Sequence, residues 1–585
     1  MNAAMNAAVN PRVRLPQTPH LAGWRSWTVL AGLLLGFALL TGRAVELQGL
    51  KSGFLQAKGE SRHTRSMEIS ATRGVIVDRN NELLAISTPV ESVAANPAAL
   101  KMTSDQQQKL AHLLQTDVSE LQRRVEDKQR AFVFLKRQLP PEQAAKVVEL
   151  NIPGVFLKRE YRRYYPAGDE LAHVIGFTNV DDEGQEALEL ALEETLRGTP
   201  GLRRVLRDRK GRIIEDIEAI EAPRNGARVM LTIDAKIQNL AFRELKKAMA
   251  EHRAKAGGIV VLDALTGEVL AMANFPTHNP NQRGVAEPAR MRNRTVTDLF
   301  EPGSTLKPFT VATALELGVV TPATIIDTAS GQLTIGKATI HDAHPSGALT
   351  VAQVIQKSSN VGAAKVALRL PPEKMWNVFN SVGFGTPPQS GFPGEVAGRL
   401  RAHDMWKPIE QATMSYGHGI SVSLLQLARA YTIFASDGEL KAPTLIKRNT
   451  VAESKRVISK QTAGAVREML EMAAQPGGTA PRAQVEGYRV AGKTGTAHKI
   501  EGRGYAVNRY ISSFVGFAPV SHPRIVVAVM IDEPAAGQYY GGVVAAPVFS
   551  EVVGGALRLM GVAPDAPLKK LVLPPATEPE IKEEV

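Results

Sequence analysis

Phe300-Glu301-Pro302-Gly303-Ser304-Thr305-Leu306-Lys307-Pro308-Phe309-Thr310 is the stretch around which the chain is organised. Pro302 and Gly303 break the preceding structure and leave Ser304 where a helix can begin. Lys307 follows three residues later, so on a helix its side chain lies one turn away on the same face. A hydroxyl at a helix N-terminus beside an amine that can act as its base is the layout of an activated serine nucleophile. Alone the pattern is weak, because Ser-x-x-Lys arises by chance about once or twice in a chain of this length.

Two more motifs follow in order. Ser358-Ser359-Asn360 comes about 54 residues later and Lys493-Thr494-Gly495-Thr496 about 133 beyond that, the motif set of serine enzymes that react with β-lactams. Ser-x-Asn is common in turns and caps. Lys-Thr-Gly occurs by chance in about one chain in seven of this size. The three together, the first after Pro-Gly and the last inside an apolar strand, reduce coincidence to below about 5%.

The rest of the chain sets the context. Its 585 residues imply more than one domain, and 44% hydrophobic with 22% charged residues is an ordinary globular composition. A net charge of +12 suits an anionic membrane or cell wall as well as it suits nucleic acid. There is no zinc-finger spacing, no aromatic-rich basic motif and no Arg-rich arm, and aromatics are only 5%, which argues against nucleic acid. The absence of cysteine excludes disulfides, thiolate metal sites and a cysteine nucleophile.

Residues 1–25 carry Arg12, Arg14 and Arg25 and no acid, and read as a cytoplasmic tail. Ser26 to Gly42 is uncharged and bounded by Arg25 and Arg43, with Trp24 and Trp27 where interfacial aromatics belong. The apolar pattern resumes at Val45 and Leu47, so a single transmembrane helix is expected over 26–47. Gly42-Arg43-Ala44 is a poor cleavage site, which favours a retained anchor over a signal peptide. Nearly everything after residue 45 then lies outside the cytoplasm.

Residues 48–222 read as an α/β unit. Val75-Ile76-Val77 and Leu83-Leu84-Ala85 flank a hairpin turn, and Gln106 to Val125 and Pro141 to Leu150 have helical periodicity. The runs Arg159-Glu160-Tyr161-Arg162-Arg163 and Arg207-Asp208-Arg209-Lys210 are expected as solvated faces. Ala222-Pro223-Arg224-Asn225-Gly226 reads as a linker into a second domain, 223–561. There Thr232-Ile233-Asp234 caps a helix, Gly258–Asp263 and Glu268–Ala273 form a hairpin, and helices dominate from Ser304 to Ala435. Strands are expected at Tyr488–Ala491, Ile511–Ala518 and Ile525–Ile531, and a last helix near Pro547–Met560. This order builds an α+β domain with one antiparallel sheet flanked by helices and a helical subdomain. The Pro-rich segment 562–585 is expected to be disordered.

With these motifs in view the chain resembles the penicillin-binding proteins, and closely the class B, division-specific D,D-transpeptidases. The resemblance extends over nearly the whole length and includes Arg73–Arg79, Ala172–Asn179, Arg292-Asn293-Arg294, Asp298–Gly303, Val490–Ala497 and Tyr539-Tyr540-Gly541-Gly542. It implies an anchor, a pedestal domain and a transpeptidase domain. Ser304 would attack a stem-peptide D-Ala-D-Ala bond and form an acyl-enzyme. Lys307, neutral at that moment through burial and the nearby charge of Lys493, would take the proton directly or through a relay. Ser358 would relay a proton to the leaving D-alanine, and Asn360 would orient Lys307 and the substrate amide. Lys493, Thr494 and Thr496 would hold the terminal carboxylate, and Gly495 would let substrate backbone approach the strand. Backbone N–H groups of Ser304 and Thr496 would form the oxyanion hole.

The resemblance implies no metal or cofactor. Its expected partners are stem peptides, β-lactams, the membrane and a SEDS-type glycosyltransferase at the division septum, with the catalytic domain in the periplasm. Asn80-Asn81 stands where the family's pedestal hairpin usually has Asn-Gly, Ala187 where Gly is frequent, and His418 where an aromatic is common. A packing or hydrogen-bonding role, rather than a catalytic one, is expected for His418. An elongation-specific relative, a β-lactam sensor and a β-lactamase are the competing readings. A class A β-lactamase needs a Glu-x-x-Leu-Asn segment; Glu373-Lys374-Met375-Trp376-Asn377 lies too close behind Ser358 and has Trp for Leu.

Overall fold

The computed structural model describes residues 23–50, 64–207, 213–282, 284, 287–448, 450, 453–502 and 504–567. Two compact units emerge, one formed by the chain up to Ile69 with Pro200–Pro223, the other by Ser70–Thr199 with the chain from Arg224 onward. The smaller unit holds the apolar helix Gly23–Val45. Its 23 residues span about 34 Å, enough for a bilayer core, and none of them is buried. The same unit contains a three-stranded antiparallel sheet of Thr64–Ile69, Gly201–Arg207 and Ile213–Glu221. Residues 1–22 of the expected tail and Asp208-Arg209-Lys210 lie outside the described residues.

The larger unit begins with the strands β1 (Ile76–Val77), β2 (Leu83–Ala95), β3 (Val133–Leu139) and β4 (Val155–Tyr164), and β5 (Val229–Met230) returns to them. The sheet order is β3-β2-β1-β5, and β4 also pairs with β2. β1 and β2 flank the expected turn, with Asn81 at φ 71°, a conformation asparagine tolerates. The helical stretch from Gln106 to Val125 is two helices, Ser104–Leu114 and Val118–Arg124, because Gln115 turns left-handed at φ 50°. The expected linker is tied down. Arg224 exchanges backbone hydrogen bonds of 2.8 and 2.9 Å with Thr199, and Gly226 N donates to Thr72 O.

One expectation fails in this region. Arg163 is not on a solvated face but fully buried, its Nε 2.7 Å from Glu189 Oε1. Arg73 Nε holds the other oxygen of Glu189 at 2.6 Å. Alternation along β4 turns Arg163 inward, and its partner arrives from 26 residues away.

The central sheet is fully antiparallel. Its strands are β6 (Ala256–Asp263), β7 (Val269–Phe275), β8 (Ala491–Glu501), β9 (Gly504–Ala518) and β10 (Ile525–Asp532), in the order β7-β6-β10-β9-β8. β6 and β10 are buried at every position, so they read as continuous apolar runs rather than alternating ones. Helices cover both faces. Ala235–Glu251 and Ala546–Leu559 bury one face, and Leu424–Ala435 with the helical block buries the other. Asp234 caps the first of these helices through Lys236 N and Ile237 N, as its sequence implies.

Two strands differ from the expectation. β8 starts where Tyr488–Ala491 was expected to end and runs on through Lys493-Thr494-Gly495-Thr496 to Glu501. β9 begins at Gly504, well before Ile511. Two small two-stranded sheets also interrupt the helical block, one pairing Ile325–Asp327 with Ala348–Thr350 and, between them in the chain, the hairpin of Gln332–Ile335 with Ala338–His341. At the C-terminus, Tyr488 OH donates to Val562 O, and Asp565 accepts from Arg489 N and Ser521 N, so order extends past Val562. Residues 568–585 lie outside the described residues.

Candidate active site

The nucleophile turn is a 3₁₀ helix, Gly303–Leu306, that passes into the α-helix Lys307–Glu316. With three residues per turn, a 3₁₀ helix eclipses positions i and i+3 and aligns Ser304 with Lys307. Gly303 opens the turn at φ +56°, a conformation that suits glycine. Thr305 Oγ1 donates to Pro302 O at 2.7 Å, and Tyr431 OH donates to Thr305 O at 2.7 Å. Phe309 fixes the helix beneath, packed edge-on against Phe384 and Tyr431 and tilted against Phe434.

Lys307 is completely buried. Its Nζ donates to Ser304 Oγ at 2.9 Å, to Ser358 Oγ at 3.0 Å and to Ser358 O at 2.5 Å. One amine therefore bridges the two hydroxyls that the motifs single out. Ser358 is held left-handed at φ 61° and ψ 35°, where it ends the helix Val351–Lys357. A non-glycine residue in that region persists when its surroundings over-determine it.

Asp342 supplies that constraint. Its Oδ2 accepts from Ser359 Oγ at 2.6 Å and its Oδ1 from Val361 N at 2.9 Å. Ser359 Oγ in turn caps the helix Asn360–Ala367 by accepting from Gly362 N. Asn360 is nine-tenths buried, and its Nδ2 donates to His341 O at 3.2 Å. Sequence reasoning missed Asp342, which sits in a hairpin end with no motif around it.

β8 is the edge strand of the central sheet and carries the third motif. Lys493 is completely buried, with Nζ 3.0 Å from Thr494 Oγ1. Thr494 Oγ1 shares a hydrogen bond of 3.0 Å with Thr479 Oγ1, and Thr496 Oγ1 accepts from Gly541 N at 3.1 Å.

Glycines let backbone meet backbone around the nucleophile turn. A Cβ on Gly495 would stand 2.7 Å from Pro302 O and 2.5 Å from Ser513 Oγ. One on Gly417 would stand 2.2 Å from Gly303 O, and one on Gly541 would stand 2.6 Å from Gly495 O. All eight residues singled out by the motifs therefore lie on three chain segments in direct contact or hydrogen-bonded to one another.

Near the nucleophile turn, Glu301 and Tyr505, to which the sequence reading gave no role, join His418. Glu301 is buried, and it accepts from Gly419 N at 2.8 Å and from Tyr505 OH at 3.0 Å. Burial raises its carboxyl, while those two bonds work against the rise. His418 packs against Tyr416 and Tyr505, the packing half of the role expected for it. Burial first, then the charge of Lys307, push its imidazole down to about 4, so it is neutral at neutral pH. Among the described residues, no three His, Cys, Asp or Glu side chains come together as a metal-holding group.

A hydroxyl and an ammonium or amine in hydrogen-bond contact, a second hydroxyl on the same amine and a buried cation on an adjacent edge strand form an acyl-transfer arrangement. Comparison with known proteins agrees with that chemistry. Residues 257–554 match the penicillin binding protein transpeptidase domain family, and residues 68–231 match the penicillin-binding protein dimerisation domain family. The chain is 43% identical over 562 residues to a Neisseria meningitidis protein named "Probable peptidoglycan D,D-transpeptidase PenA", covering 95% of this chain and 96% of the relative. It is 39% identical over 570 residues to the Escherichia coli "Peptidoglycan D,D-transpeptidase FtsI", covering 96% of each. Among solved structures, the TP domain of Burkholderia pseudomallei penicillin-binding protein 3 aligns with a TM-score of 0.54 at 51% identity, over 58% of this chain and 98% of that one. A peptidoglycan synthetase from Bifidobacterium adolescentis aligns over 87% of this chain and 99% of that one, with a TM-score of 0.68 at 25% identity.

Proposed function

The chain belongs to the class B penicillin-binding proteins, with a dimerisation domain followed by a transpeptidase domain, and on that premise we propose that it cross-links peptidoglycan stem peptides through an acyl-enzyme on Ser304. The observation that carries the reading is the Lys307 amine, 2.9 Å from Ser304 Oγ and 3.0 Å from Ser358 Oγ.

Ser304 Oγ attacks the carbonyl carbon between the two terminal D-alanines, and its proton passes to Lys307 Nζ. The oxyanion is received by the backbone N–H groups of Ser304 and Thr496, a contribution of about 3 kcal/mol per donor in such sites. Ser358 relays the proton to the leaving amine as the C–N bond breaks, and D-alanine departs. An amine of a neighbouring stem peptide then attacks the ester, and Ser304 recovers its proton. Lys493, Thr494 and Thr496 hold the donor's terminal carboxylate, Gly495 admits its backbone beside β8, and Asn360 orients the peptide amide. β-Lactams acylate Ser304 as mimics of the same donor.

The finer reading is a septal enzyme, anchored in the inner membrane by Gly23–Val45 with its N-terminal tail in the cytoplasm and Ser304 in the periplasm. The likeness to FtsI over 96% of both chains supports it, as do the basic residues before the helix. A SEDS-type glycosyltransferase would be its partner. Fluorescent penicillin should label the protein, and Ser304→Ala should abolish the label while the melting curve is retained. Labelling that survives the substitution would sink the nucleophile assignment. Cross-linked product formed from a lipid-linked precursor with the partner present separates a transpeptidase from a hydrolase or a sensor.

A further inference from the structure

The Glu301 carboxylate joins three separate elements. It precedes the nucleophile by three residues, it receives Gly419 N from the loop packed on Gly303, and it receives Tyr505 OH from β9. Tyr505 pairs with Ile500 across the outer end of the β8–β9 hairpin. The inner end of that hairpin carries Lys493, Thr494 and Thr496. The chain around Tyr505 is open to solvent, with Tyr505 53%, Ile500 50% and Val507 84% exposed, and on the sheet side of Ile500 the strand is held by Lys499, which pairs with Asp532 and Glu533 at 2.7 Å. The Tyr505 ring lies against His418 and His498 at 6.3 and 6.1 Å, looser than the 3.9 Å stack of Tyr510 on Tyr539 further down. Among the described residues, the hairpin's outer end is tied to the nucleophile turn by a hydrogen bond from the Tyr505 phenol to the buried Glu301 carboxylate.

We propose that Glu301 and Tyr505 form a latch, which holds the outer half of the β8–β9 hairpin against the mouth of the cleft and keeps the carboxylate-gripping strand in its binding position. Glu301 and Tyr505 are positioning residues, since neither is needed to touch the reacting atoms. The latched state is the binding-competent one, so releasing it lowers apparent affinity by the fraction of time the hairpin spends open and leaves the chemical step alone. The inference rests on the acyl-transfer reading for its purpose but not for its existence.

The chain contains no cysteine, so Val507→Cys in the full-length protein gives a single attachment point for a nitroxide label. Bonds to charged groups are among the stronger ones, and Tyr505→Phe should raise the ratio of mobile to immobile nitroxide by about tenfold. Glu301→Gln can still accept from Gly419 N–H and can donate its amide to the Tyr505 oxygen, so it should give a smaller shift. In Tyr505→Phe without the label, the fluorescent penicillin concentration giving half-maximal acylation should rise roughly two- to fivefold with the limiting rate unchanged. Unchanged nitroxide mobility in Tyr505→Phe would overturn the latch. A lower limiting rate at unchanged half-saturation would overturn its assignment to binding. The nitroxide is read without substrate, so a protein that penicillin fails to label would refute the acyl-transfer reading and still leave the latch to be judged on mobility.

Discussion

Replacing Gly495 by alanine adds one methyl group between β8 and the nucleophile turn. Its carbon would lie 2.5 Å from Ser513 Oγ, 2.7 Å from Pro302 O and 2.9 Å from Thr305 Cγ2. The Ser513 hydroxyl can rotate away, but the Pro302 carbonyl is backbone two residues before Ser304. Ordinary contact is about 3.5 Å, so the strand and the turn have to separate by roughly 0.7–1 Å. Overpacking of this kind costs about 1–3 kcal/mol of stability, equivalent to a melting point lower by roughly 1–4 °C in a domain of this size. The effect on reaction is larger, because a displacement of about 1 Å between reacting groups and their donors can cost about 100-fold. The expected outcome is a folded protein whose second-order rate of acylation by fluorescent penicillin, followed in time, falls by roughly 10- to 100-fold. Adding Ser513→Ala should not restore it, since the clash with Pro302 remains. An acylation rate within about twofold of the parent, with the melting point lowered as expected, would refute the claim that β8 spacing sets the rate.

Other perturbations test other parts of the site and fold. Asp342→Ala removes the acceptor of Ser359 Oγ and Val361 N; acylation should fall about tenfold, the equivalent of about 1.4 kcal/mol lost from positioning of Ser358, and Asp342→Asn should recover part of it. Glu189→Gln leaves the buried Arg73 and Arg163 guanidiniums without their shared carboxylate, and a loss of about 3–5 kcal/mol should appear in the melting curve. Asp182 is raised to about 6, by burial first, with Arg163 and Arg73 opposing. A raised acid favours its protonated form in the fold, so its contribution is best below the unfolded value near 4 and is lost as pH climbs to about 6. Asp182→Asn should therefore be more stable than the parent at pH 7, by up to about 3 kcal/mol, with the gap closing near pH 4.

Motifs that carry their chemistry in consecutive residues were legible in the sequence. Ser304 and Lys307 are fixed by local helix geometry, and Asp234 declares its helix by capping it. The β6–β7 hairpin and the last helix follow from runs of apolar residues. What could not be read depends on partners far along the chain. Arg163 looks like a surface charge until Glu189 reaches it, and Asp342 acts on a loop that begins 16 residues later. The expected strand ended at Ala491, short of β8's run to Glu501, because Lys493, Thr494 and Thr496 are polar yet buried, which breaks the alternation that announces a strand. The outer ends of β8 and β9 went unseen because they project from the sheet and carry no periodic core face.

The glycines around the nucleophile turn bear on how such a site can change under selection. At Gly417, Gly495 and Gly541 the smallest possible side chain would overlap main-chain oxygen at 2.2 to 2.7 Å. A side chain elsewhere in the cleft can be exchanged to disfavour an inhibitor while substrate still binds. These three positions offer no such exchange, because any replacement moves backbone, that of the nucleophile turn at Gly417 and Gly495 and that of β8 and β9 at Gly541. An acylating ligand whose contacts are confined to the main chain at these glycines would press on the part of the cleft where escape by point substitution is also loss of the enzyme.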